Sequence, residues 1–142
     1  MRNVTWLVGG KNRERAFAGL WYWDGRFWHP AIEGPGPDPG ARQGHTLVFD
    51  SARNRLLIAG GRRFDSGNGD ELEDTWEWDG NAWKQVANLD QPRAWHCAAY
   101  DSARRSHYVF GGIHGNTALA GLWEWDGESW AQLDAGLPGP AA

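Results

Sequence analysis

The chain has a single cysteine, Cys97, so no intrachain disulfide framework exists, and no Cys/His spacing of zinc-binding type accompanies it. Long apolar runs are also missing. No stretch approaches the roughly 18 consecutive apolar residues of a membrane span, and the opening MRNVTWLV is too short and too interrupted to act as a signal peptide. A soluble chain with no membrane partner is therefore expected, its compartment left open. Basic excess is absent: 14 Lys and Arg against 18 Asp and Glu leave a net charge of -4, which offers no general attraction to phosphate and speaks against nucleic acid as a partner. Apolar spacing of helical period never runs long enough to place a helix.

What the chain has in quantity is glycine, 20 residues, and tryptophan, 11. They recur in register. Gly9-Gly10, Gly60-Gly61 and Gly111-Gly112 are 51 residues apart both times, and each pair is followed by Trp-Asp-Gly-x-x-Trp, at Trp23 to Trp28, Trp78 to Trp83 and Trp125 to Trp130. A period of this size marks an architecture whose units stack on copies of themselves to bury their faces. The second and third units also align at Arg42-Gln43-Gly44-His45 against Arg93-Ala94-Trp95-His96, and at Asp50-Ser51-Ala52-Arg53 against Asp101-Ser102-Ala103-Arg104. The distances from glycine pair to Trp-Asp-Gly are 14, 18 and 14, so the middle unit carries an insertion between Arg62 and Asp74. The first unit has no counterpart of the His45 segment.

Each unit reads as four short strands. His45 to Phe49 and His96 to Tyr100 pass through Asp-Ser-Ala-Arg, whose aspartate can accept backbone N–H bonds, into Arg55 to Ala59 and Ser106 to Phe110. Third strands at Leu20 to Trp23, Asp74 to Trp78 and Leu122 to Trp125 end in Asp-Gly, a hairpin signal in which both residues can take positive φ. Fourth strands begin near Trp28, Trp83 and Trp130, and Val4 to Val8 reads as a further strand. Small apolar residues in the first two strands place them centrally, while Trp76 and Trp78 share the outer part of one face by the period of two. Sheets that diverge from an axis need that gradation, which is the gradation of a β-propeller.

Arg-x-Gly-His before the innermost strand, Gly-Gly closing the second, and a large aromatic in each outer strand resemble the kelch repeat, also found in the propeller of galactose oxidase. The likeness runs from Val4 to Leu133; Trp95 departs from it, standing where the middle unit has Gly44. The resemblance implies an all-β kelch-type propeller with three four-stranded blades, residues 1–33, 41–88 and 92–134, and a tail at 135–142. The first blade lacks its innermost strand, and the proline-bearing tail is too short to supply it, since only 12 residues follow Trp130. Kelch propellers usually have six or seven blades, so closure into six by a second copy is expected, with a two-fold homodimer the common solution.

For function, the sequence points to a non-enzymatic binding or assembly module, with a piece of a larger carbohydrate-binding or oxidase-type propeller as the alternative. No nucleophile stands beside a base, no phosphate loop occurs, and neither cofactor nor metal is expected. His45 and His96 hold equivalent repeat positions and read as structural. His96, Cys97 and Tyr100 evoke copper-oxidase chemistry, yet adjacent strand residues point to opposite faces. The stretch from Asp65 to Asp74 is oxygen-rich but lacks the ligand spacing of a calcium loop and reads as a solvated acidic segment. Nine tryptophans sit at repeat positions that packing explains. The varied residues of the loops after the glycine pairs and before the histidines are Lys11, Asn12, Arg13, Arg62, Arg63, Arg93, Trp95, His114 and Asn116. This basic and aromatic set suits an acidic peptide or an anionic sugar, through arginine forks and stacking on Trp95.

Overall fold

The computed structural model describes residues 3–63 and 70–133. Among them there is no helix, and hence none long and apolar enough to cross a membrane. The first sheet holds β1 (Thr5–Val8), β2 (Leu20–Trp23) and β3 (Trp28–Pro30), in that order. The second holds β4 (Thr46–Asp50), β5 (Arg55–Ala59), β6 (Asp74–Trp78) and β7 (Trp83–Asn88). The third begins with β8 (Cys97–Asp101) and β9 (Ser106–Phe110). A small hairpin, β10 (Ile113–His114) and β11 (Thr117–Ala118), then precedes β12 (Leu122–Trp125) and β13 (Trp130–Leu133). All three sheets are antiparallel and none closes on itself. The tail at 135–142 and residues 64–69 of the middle insertion lie outside the described residues.

Pairing preserves the repeat. Thr5 opposes Trp23 and Leu7 opposes Trp21; Leu56 opposes Trp78 and Ile58 opposes Trp76; His107 opposes Trp125 and Val109 opposes Trp123. Alternation then sorts each sheet into two faces. Trp6, Val8, Leu20 and Ala31 of the first sheet meet Leu56, Ile58, Trp76, Trp78 and Trp83 of the second in one core. On the far side of the second sheet, Ala59 and Leu89 meet Ala98, Val109, Trp123 and Trp130 of the third. The face bearing the outer-strand tryptophans of each later unit thus packs on the opposite face of the unit before it. Trp83 Nε1 donates to Glu33 (2.7 Å) and Trp130 Nε1 to Thr75 Oγ1 (2.9 Å), so each ring carries its polar edge to an acceptor in the preceding unit.

The turns repeat as closely as the strands. Asp50 Oδ1 accepts from the Ala52 and Arg53 amides, both at 3.0 Å, and Asp101 Oδ1 does the same with Ala103 and Arg104. In the hairpins Asp24, Asp79 and Asp126 each accept two amides on one carboxylate oxygen, which holds Asp24 down to about 2. Here the hairpin differs from its sequence reading. Only the glycine is left-handed, at φ 99°, 102° and 103° for Gly25, Gly80 and Gly127, because the aspartate works as a side-chain acceptor instead. The innermost strands begin one residue later than read, at Thr46 and Cys97, since His45 and His96 are taken up by the junctions described next.

Candidate functional site

Arg-x-x-His joins one unit to the next. Gly10 N donates to Arg42 O (3.1 Å), and a Cβ on Gly9 would come within 2.8 Å of that carbonyl and 3.0 Å of His45 Cε1. At the second junction Gly61 N donates to Arg93 O (2.8 Å), and a Cβ on Gly60 would lie 2.5 Å from it and 3.0 Å from His96 Cε1. Glycine is needed both for the approach and for φ near +60°. The arginine side chains turn back into their own units. Arg42, wholly buried, donates to Gly60 O (2.9 Å), forks onto Asp74 (2.7 and 2.9 Å) and reaches Pro39 O. Arg93 donates to Gly111 O (3.0 Å) and pairs with Asp90.

Burial lowers His45 and His96 to about 4, so both are neutral at neutral pH, and His96 Nε2 shares a hydrogen bond with Thr46 Oγ1 (3.0 Å) across the junction. The third glycine pair is different. Among the described residues a Cβ on Gly111 would meet only Leu119 O, at 3.6 Å, so the seat filled twice by Arg-x-x-His is open at this end.

The loop residues singled out from sequence have diverse placements. Arg93 is not on the surface: its guanidinium is enclosed, because it anchors Gly111 as Arg42 anchors Gly60. Asn12 is exposed, but its Oδ1 is engaged by the Glu14 and Arg15 amides, both at 2.8 Å. Lys11, Arg13 and Arg63 are exposed on loops, and Arg62 is half-buried, its backbone bridged to Gln43 and Glu71. His114 and Asn116 belong to the β10–β11 hairpin, Asn116 within its turn.

One contact between these loops was hidden in the acidic insertion. Glu71, read as solvated, is buried; its Oε2 accepts from Gly115 N (3.2 Å) and faces His114 Nδ1 at 3.6 Å. It ties the second unit's loop to the third's. Asp74, from the same stretch, is held by Arg42 and Trp76.

Trp95 is the most unusual of the set. It is 54% exposed at φ 61°, the left-handed conformation that Gly44 adopts at φ 64° in the preceding unit. The two are stacked: Trp95 N donates to Gly44 O (2.7 Å), and a Cβ on Gly44 would lie 2.9 Å from the indole. One ring face covers Gly44 and much of the rest meets solvent.

Two sheet faces are also open. Leu7 and Trp28, each 48% exposed, are equivalent to Ile58 (0%) and Trp83 (6%) of the second unit, and Trp21 stands out of its core likewise. At the other end Phe110 and Cys97 are exposed and, with Ala99, Tyr108 and Leu122, line a cavity of about 160 Å³ on the outward face of the third sheet. Repeat position predicts that these tryptophans pack between units, yet neither core cluster among the described residues includes this face of the first sheet.

Chemically, the described residues hold no cluster of three or more His, Cys, Asp or Glu side chains fit for a metal. His96 is buried against Thr46, Cys97 is exposed, and Tyr100 donates to Asp50 (2.7 Å), so the three do not converge. Folding and site together define an all-β repeat protein of three antiparallel sheets joined by arginine–histidine junctions. Compared with family models and with curated proteins, the chain matches none.

Proposed function

We propose that the chain is a kelch-type β-propeller segment acting as a non-enzymatic binding and assembly module, and that it closes with a second copy into a six-bladed ring. One observation carries this reading: positions buried in the second unit are exposed in the first on its tryptophan face, and in the third on the opposite face, where Phe110 stands in place of Ala59. Those are the two kinds of face that pack together at both internal junctions. Contiguous apolar surface of this sort marks an interface. In a two-fold pair the third sheet of each copy covers the first sheet of the other, so both open faces are used.

Light scattering coupled to gel filtration tests the reading. Two copies are expected; a monomer at all concentrations would remove it. Leu7→Glu and Phe110→Glu, on opposite faces, should each weaken association at least about a hundredfold, since either buries an unpaired charge.

The exposed indole of Trp95, with the basic loop residues Arg62 and Arg63, supports an acidic peptide or an anionic sugar as ligand. Titration followed by tryptophan fluorescence should show binding that Trp95→Ala weakens about tenfold or more, the loss of one stacking surface. Binding that survives Arg62→Ala, Arg63→Ala and Trp95→Ala together would place the ligand elsewhere.

A further inference from the structure

A single arginine secures the second junction at the turns joining the paired strands. Arg53 pairs with Asp50 of its own turn (2.7 Å) and crosses to the third unit, donating to Arg105 O (2.9 Å) and to Asp126 O. Its guanidinium occupies the place that a Cβ on Gly127 would take, so the Asp126-Gly127 turn is a seat that only glycine leaves open.

The third unit repeats the donor. Arg104 is oriented by Asp101 (2.7 Å) as Arg53 is by Asp50, from an identical Asp-Ser-Ala-Arg turn, but its side chain is 72% exposed. The first unit repeats the seat. Asp24 takes the Arg26 and Phe27 amides as Asp126 takes those of Glu128 and Ser129, Gly25 lies at φ 99° against 103° for Gly127, and among the described residues nothing lies within 4 Å of a Cβ on Gly25. Among the described residues, the third unit therefore carries an oriented donor without its seat, and the first a seat without its donor.

We infer that Arg104 of one copy docks on the Asp24-Gly25 turn of a second copy, donating to the Asp24 carbonyl and fixing the register in which the two chains meet. The inference rests on the self-association reading above and adds to it the polar contact that apolar faces alone do not supply. Apolar surfaces attract without direction, whereas a charged fork on a fixed carbonyl accepts one orientation. A second copy is the occupant because its turn has the Asp-Gly pair, the two amide bonds to the aspartate and the glycine φ of the Asp126 seat, and lies on the unit whose tryptophan face is open. The 51-residue register puts Asn3 of the first unit where Arg105 stands in the third, so the Asn3 carbonyl is the counterpart of the second acceptor that Arg53 uses.

Gly80 supplies the control. It has the same turn and φ 102°, a Cβ there meets nothing within 4 Å among the described residues, and it lies at the internal junction between the first and second units, away from both open ends. Alanine at Gly25 or at Gly80 imposes the same backbone cost; only Gly25→Ala obstructs the dock. Sedimentation equilibrium over a wide concentration range would compare wild type, Arg104→Ala, Gly25→Ala, Gly80→Ala and the Arg104→Ala/Gly25→Ala double variant, with circular dichroism confirming the fold.

A hydrogen bond to a charged group corresponds to roughly tenfold or more in affinity. The closed pair contains two such docks, so Arg104→Ala and Gly25→Ala should each weaken association by about a hundredfold, the double variant no further than either alone, and Gly80→Ala not at all. Association untouched by Arg104→Ala, or weakened equally by Gly25→Ala and Gly80→Ala, overturns the dock while leaving self-association standing. A wild-type protein that never associates removes both.

Discussion

Trp95 shows what one residue can cost its fold. At the equivalent position Gly44 adopts φ 64° without penalty, whereas a side chain at φ 61° crowds its own carbonyl, at about 1–2 kcal/mol. Strain of this kind is retained where the surroundings impose it or where the residue has a task. Half of the indole is in water, so its packing on Gly44 offsets only part of the cost. Trp95→Gly should therefore stabilise the protein by about 1 kcal/mol while abolishing stacking with a ligand; urea unfolding measures the first, and an unchanged or lowered midpoint would show that packing outweighs strain. Arg93 makes the contrasting point. It belongs to the same loop and shares its basic charge, yet it is enclosed and paired, and charge alone did not distinguish the two roles.

At the scale of the element, the junction histidines make stability depend on acid. His45 and His96 are held near 4 and His107 near 3, in each case chiefly by burial, against 6.5 for the ordinary group. The folded state keeps them neutral while the unfolded chain takes up protons below 6.5. Stability from this source is thus fully present above pH 6.5 and is lost as the pH falls toward 4, by about 1.4 kcal/mol per pH unit for each histidine. Thermal melts between pH 7 and 4 should show that decline above the range in which the turn aspartates titrate.

His107 offers a way to separate the contributions. Neither of its ring nitrogens has a hydrogen-bond partner among the described residues, it sits edge-on to Trp130 at 5.7 Å, and the second unit has Leu56 in its place. A buried, unmatched polar group costs about 1–3 kcal/mol. His107→Leu should raise stability by about 1 kcal/mol at pH 7 and reduce the acid sensitivity; a destabilised variant would show that the imidazole has a partner in solution.

For the whole molecule, unfolding and association should be one process. Both open faces are built from residues whose equivalents form the cores between units, so a copy alone leaves part of its core in water. Anything that binds only the folded form stabilises it by mass action. The melting temperature should accordingly rise with protein concentration, and Leu7→Glu should remove the dependence. A midpoint independent of concentration in a protein of dimeric mass would mean that each copy completes its core by itself.

Repetition made most of the architecture legible before any coordinates. Glycine pairs, Trp-Asp-Gly turns and strand tryptophans mark local conformations that short stretches impose: positive φ, side-chain-capped turns, alternation of faces. The strands from Arg55, Asp74, Ser106 and Leu122 lie where the residues place them. The β10–β11 hairpin did not announce itself, though Gly115-Asn116 is its turn signal. Whether a given side chain is a surface group or a fastener depends on what lies across from it. Arg93 and Arg63 are alike as residues, Glu71 and Asp70 likewise, but the fold encloses one of each: Arg93 against Gly111 O and Asp90, Glu71 against Gly115 of the next unit. Sequence determined the unit and its turns because those rest on contacts a few residues apart. Tertiary structure alone decided which faces are covered, which arginine is seated and which tryptophan is left in water, because burial depends on neighbours about 50 residues away.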